Sequence, residues 1–120
     1  MIEYKLGEIE MRFSDLIWTN EPIPSGELVK LAEENISWKK STTYTILRKL
    51  CEKGIFQNEN GLVTSRVSKE EYIAMQSERF VDETFSGSLP QFIASFSRRK
   101  KLSAKELEEI QRLIDMHKEA

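Results

Sequence analysis

Residues 38 to 67 constrain this chain more than any other stretch, because a helical apolar pattern there stops at a glycine and runs straight into a tight-turn dipeptide. The segment reads Trp38-Lys-Lys-Ser-Thr-Thr-Tyr-Thr-Ile-Leu-Arg-Lys-Leu-Cys-Glu-Lys-Gly54. At about 100° per residue, Thr43, Ile46, Leu47, Leu50 and Cys51 share one side of a helix, and Ser41, Thr45, Arg48, Lys49 and Glu52 lie opposite. The first face packs and the second is left to meet something. Gly54 stops the helix, since it takes positive φ without a Cβ clash. Ile55 to Asn58 and Leu62 to Val67 then flank Asn60-Gly61, whose two residues accept the backbone of a type I′ turn. A helix followed by a β-hairpin is therefore expected here.

The charge distribution singles out the same stretch. The 120 residues carry a net charge of only −2, which alone argues against a nucleic-acid binder. Residues 1 to 37, however, hold three Lys/Arg and eight Asp/Glu (net −5), residues 38 to 69 hold seven and two (net +5), and residues 70 to 120 hold eight and ten (net −2). One basic block on an otherwise acidic chain is the footprint of a single surface facing phosphates, with a merely solvated basic face as the plainer reading.

On the N-terminal side, Leu6, Ile9, Phe13, Leu16 and Ile17 recur at helical spacing and predict a first helix over residues 7 to 19, closed by Asn20 and Pro22. The two prolines of Pro22-Ile-Pro-Ser25 suit a short edge strand, and Ser25 suits the N-cap of a second helix running to about Glu34 with Leu28, Leu31 and Ala32 inward. Trp38 at the corner between helices is read as a packing anchor. Beyond the hairpin, Arg66 and Lys69 offer further phosphate contacts. Ser68-Lys-Glu-Glu71 is a capping box opening a helix to about Phe85, Ser88 caps a shorter one, and Ser103-Ala-Lys-Glu106 opens the last. Phe80 and Phe85, then Leu89, Phe92, Ile93 and Phe96, then Leu107, Ile110, Leu113 and Ile114 give these three helices apolar stripes. About fifty residues bury little surface alone, so the stripes call for a partner, either the same segment of a second chain or the N-terminal part of this one.

Little in the chain suggests catalysis. His117 is the only histidine and Cys51 the only cysteine, so no nucleophile-base set, metal cluster or internal disulfide is expected, and neither is a cofactor. Cys51 reads as a small core residue. No apolar run is long enough to span a bilayer and the first residues do not form a leader, so a cytoplasmic protein is expected. The Arg98-Arg-Lys-Lys101 run reads as an exposed linker, with phosphate contact as the alternative. On the outward face of the helix, Ser41, Thr42, Tyr44 and Thr45 stand near the N-terminal turns that reach base edges in a major groove. Lys39 and Lys40 at its entrance, with Arg48, Lys49 and Lys53 further along, suit flanking phosphates.

The order of these parts, with Trp38-Lys-Lys-Ser-Thr-Thr-Tyr-Thr-Ile-Leu-Arg-Lys-Leu50 followed by Glu-Lys-Gly-Ile55, resembles the penicillinase-repressor family of BlaI, MecI and CopY. Ile17-Trp18, Leu-Pro-Gln-Phe-Ile-Ala-Ser-Phe96 and Leu102-Ser-Ala-Lys-Glu-Leu-Glu-Glu-Ile110 extend the likeness over nearly the whole chain. It implies a winged-helix homodimer in the bacterial cytoplasm that blocks transcription at a palindromic double-stranded DNA operator before resistance genes. It also implies base reading at Thr42 and Tyr44, flanked by Ser41 and Thr45, and inactivation by cleavage at Ser95-Phe96 under a membrane sensor protease of the BlaR/MecR type. By the same resemblance, Tyr44 stands where the best-known β-lactam repressors often carry a side chain such as Arg or Gln, and Ser95 where they have Asn before the Phe. The copper branch's C-terminal cysteines are absent.

The expected fold is mainly α with a small β-hairpin wing: a winged helix-turn-helix DNA-binding domain over residues 1 to 68, and a three-helix dimerisation region over residues 69 to 120. A winged-helix module docking an acidic protein, or a regulator switched by a small ligand between the C-terminal helices, are the other readings the residues allow.

Overall fold

The computed structural model describes residues 5 to 120; the first four, on which the reading of the N-terminus as lacking a leader partly rests, lie outside the described residues. Among the described residues, six helices and three short strands follow one another: α1 (Glu8–Asn20), β1 (Ile23–Pro24), α2 (Ser25–Ile36), α3 (Lys40–Glu52), β2 (Phe56–Glu59), β3 (Leu62–Ser65), α4 (Lys69–Phe85), α5 (Leu89–Arg99) and α6 (Ala104–Glu119). They divide into two packed units, one ending at Gln76 and the other spanning Ser77–Ala120, with α4 running across the division.

The first unit is built on alternation and helical stripes that meet. Phe13 and Ile17 of α1, Leu28 and Ala32 of α2, and Leu47 and Leu50 of α3 join Ile55, Phe56 and Val63 in one buried cluster. α2 packs on both α1 and α3, and α3 packs on β2. The three strands form an antiparallel sheet in the order β1-β3-β2, so β3 is central. Its Val63 lies opposite Asn58 on one side and Ile23 on the other. Because side chains alternate across a strand, Val63 enters the core while Leu62 is 44% exposed. Asn60 and Gly61 close the hairpin with φ of 53° and 84°, both positive as the type I′ turn requires.

Trp18 and Trp38 act as packing anchors. The Trp38 ring lies 4.9 Å from that of Phe13, and Trp18 donates its indole N–H to the Val67 carbonyl at 3.0 Å while its ring packs on Phe56 and Tyr72. Tyr72, early in α4, is buried and its hydroxyl accepts from the Leu6 amide at 2.8 Å.

Several local expectations are corrected. Ser25 does not cap the second helix: Pro24, with φ of −60°, occupies the N-cap and Ser25 is already helical. Its amide is taken instead by the Gly61 carbonyl at 2.7 Å, which extends the β1–β3 pairing by one bond and draws the helix start forward. Ile9 is 42% exposed and Leu31 is only half-buried. The second helix continues to Ile36, where Ser37 in the left-handed region closes it. Lys69 does not extend the wing; it pairs with Asp15 of α1 at 2.7 Å.

In the second unit, Ser88 accepts from the Gln91 amide at 3.2 Å, and Ser103 and Glu106 form the reciprocal box that opens α6. Phe80, Phe85 and Phe92 meet edge-on with centroids 5.7 to 6.0 Å apart, and Phe96 continues the row from Phe92 at 6.1 Å.

Phe13→Ala removes a fully buried ring and its contact with Trp38. It should cost about 3 to 5 kcal/mol, read as a lowered urea midpoint of the N-terminal unit.

Candidate nucleic-acid interface

The inward face of α3 is fixed by Thr43, Leu47 and Leu50, all buried. That leaves Lys39, Lys40, Ser41, Thr42, Thr45 and Arg48 exposed along one side, with Lys53 exposed at the end of the helix. No side chain caps the start of α3. The first-turn amides thus stand beside Lys39 and Lys40, where the helix dipole and two ammonium groups act in the same direction on an anion.

The hydroxyls differ in what they can do. Thr43 and Thr45 each donate back to the carbonyl four residues earlier, Lys39 at 3.2 Å and Ser41 at 2.9 Å. Thr45 is thereby left with acceptor lone pairs for any outside group. Ser41 and Thr42 are exposed at the first turn. Tyr44 is half-buried and packs on the core, and its hydroxyl shares a hydrogen bond of 3.1 Å with Ser25 Oγ.

The cations are not equivalent either. Arg48 is exposed beside Tyr44, Leu47, Cys51 and Asn58, which line a cavity of about 310 Å³ between α3 and β2. Lys49, by contrast, turns toward α1 and pairs with Glu10 at 3.6 Å. Arg66 is exposed just after β3, on the opposite end of that strand from the Asn60-Gly61 turn. Glu21 braces the same strand, accepting from the Ser65 amide and hydroxyl at 2.8 Å each. Neither Ser25, Glu10 nor Glu21 was visible as part of this face in the sequence, because each acts across 19 to 44 residues of chain.

The remaining candidate residues belong to the other unit. Ser95 and Phe96 are exposed on α5. Leu89, Leu107, Leu113 and Ile114 are 45% to 65% exposed. With Ile93 and Ile110, three of these, Leu89, Leu113 and Ile114, line a largely apolar groove of about 600 Å³ between α5 and α6, edged by His117 and Lys118. Phe85 and Phe92 are half-buried in the aromatic row, while Phe80 is 49% exposed. Among the described residues no helix is long and apolar enough to cross a membrane.

Cys51 is half-buried, and its thiol is pushed above its ordinary pKa, first by desolvation and then by the neighbouring Glu52 carboxylate. A raised pKa means less thiolate near neutrality. Alkylation of Cys51 by iodoacetamide should therefore be slower than that of free cysteine, with its pH profile displaced upward; a faster rate would contradict the packed placement.

Comparison with known proteins finds relatives that span nearly the whole chain. The chain is 25% identical over 118 residues to a penicillinase repressor of Bacillus licheniformis, spanning 95% of this chain and 92% of the relative. It is 20% identical over 116 residues to the methicillin resistance regulatory protein MecI of Staphylococcus aureus, spanning 93% and 94%. A penicillinase repressor of Staphylococcus aureus is 21% identical over 117 residues, spanning 94% and 93%. The model of the penicillinase repressor family matches residues 6 to 116, and with a mostly helical chain carrying a three-stranded wing sheet, this protein belongs to that family.

Proposed function

We propose that the chain is a transcriptional repressor that binds a palindromic DNA operator as a homodimer and so blocks a promoter sterically. The observation that carries this reading is the division of α3 into a buried side and an exposed side bearing Lys39, Lys40, Ser41, Thr42, Thr45 and Arg48, within the same packed unit as the hairpin wing. Ser41, Thr42 and Thr45 stand where a recognition helix meets base edges, and Lys39, Lys40, Arg48, Lys53 and Arg66 serve flanking phosphates. Lys49 contributes charge from the flank while bound to Glu10. Residues 1 to 68 do the reading.

Residues 69 to 120 join two chains. The support for this is the exposed apolar surface of α5 and α6, of which Leu113 is 65% exposed. Burying such side chains against a second copy is favourable by roughly 25 cal/mol per Å². Two-fold symmetry then presents two recognition helices to half-sites about one turn of duplex apart, or a multiple of that. The names of the relatives suggest resistance genes as the targets. Cutting Ser95-Phe96 within α5, by a sensor protease of the kind the family resemblance implies, would undo the dimer and release the operator, since each half alone binds weakly.

Selection of binding sites from random duplexes, followed by mobility shift, tests the reading: enrichment of a palindrome is expected, and no enrichment would refute it. Arg48→Ala should weaken selected and random DNA alike and flatten the salt dependence by about one unit of slope; an unchanged slope would remove Arg48 from the phosphate contacts. Leu113→Glu should shift the full chain from dimer to monomer in sedimentation, and a dimer of unchanged stability would move the interface elsewhere.

A further inference from the structure

We infer that Ser25 and Tyr44 form a positioning pair that holds the recognition helix at a set angle to the wing, so that Tyr44 acts on operator choice through Ser25 rather than by touching a base with its hydroxyl. This rests on the DNA-reading function proposed above and adds a specificity determinant to it.

Three observations converge on Ser25. Its hydroxyl shares the 3.1 Å hydrogen bond with the Tyr44 hydroxyl of α3. Its amide donates to the carbonyl of Gly61, in the wing turn, at 2.7 Å. Its neighbour Pro24 pairs with Leu62, the residue after that turn, and a Cβ placed on Gly61 would find Ser25 Oγ as its nearest atom, at 3.9 Å. One residue at the start of α2 thus bonds to the reading helix through its side chain and to the wing through its backbone.

Tyr44 is suited to the other half of the pair. Its half-buried ring packs on the core and shares with Leu47 and Asn58 the wall of the cavity between α3 and β2. The ring fixes where the hydroxyl can go, and its bond to Ser25 takes one of the hydroxyl's hydrogen-bonding positions. A helix and a wing that each contact DNA must be in register with it together, and a reading group is only as accurate as the shell that locks it. A small rotation of α3 about its axis would move Thr42 and Thr45 off their base edges while leaving Arg48 and the lysines within reach of some phosphate. The pair therefore bears on specific binding and hardly on non-specific binding.

The test is a double-mutant cycle in the full-length chain. Tyr44→Phe and Ser25→Ala each delete one oxygen and keep the packing and the Ser25 backbone bond. Each should lower affinity for the operator selected by the wild type about fivefold, the size of one neutral hydrogen bond. Binding to random DNA and the salt slope should stay unchanged, and the double variant should lose no more than either single one. In the DNA-free chain, hydrogen exchange at the Ser25 amide should speed up about fivefold in Tyr44→Phe. The inference is overturned if Tyr44→Phe loses discrimination at a single base pair while Ser25→Ala is silent, if the two losses add, or if the Ser25 amide exchanges at its wild-type rate. A wild-type chain that enriches no sequence overturns the DNA reading as well, a different outcome from additive losses in a chain that does bind.

Discussion

Burial of the inner face of α3 is the constraint on which the rest of the N-terminal unit depends. Thr43, Leu47 and Leu50 are held between α2 and β2, and the core they enter also contains Phe13, Ile17, Phe56 and Val63. A helix with three such positions buried cannot turn a different face inward, because each residue turns about 100° from the last. What faces outward is then determined by subtraction: Ser41, Thr42, Thr45 and Arg48 are exposed because their neighbours cannot be.

Around this core a set of long-range polar contacts links elements that apolar packing alone would leave free to slide. Trp18 to Val67, Tyr72 to Leu6, Glu21 to Ser65 and Ser25 to Tyr44 each tie a helix or loop to an element far along the chain. Individually such bonds contribute about 1 kcal/mol, which is small beside the core. Their value lies in direction, since a hydrogen bond specifies an angle where apolar contact specifies only proximity.

The C-terminal unit follows a different rule. Its aromatic row gives α4 and α5 a seam of their own, yet Leu89, Leu107, Leu113, Ile114 and Met116 stay largely in water. Exposed apolar side chains on two adjacent helices are the surface on which the proposed dimer rests. The proposed dimer accounts for why these helices carry stripes that a single chain leaves open.

By itself the sequence determined the elements. Helical spacing placed six helices, Asn60-Gly61 placed the hairpin turn, and the Ser103–Glu106 box placed the start of α6, because caps, turns and stripes act over three or four residues and leave their mark there. The basic block and the hydroxyl-rich face of residues 41 to 48 were legible for the same reason. Tertiary structure alone decided which of those residues are available. Lys49 and Lys69 have the composition of phosphate contacts but sit within reach of Glu10 and Asp15, Ser25 has the chemistry of a cap but meets Gly61 and Tyr44, and β1 is a strand only because β3 lies beside it. Each of those outcomes depends on a partner 19 to 54 residues away, and no local pattern encodes which partner the folded chain will bring near.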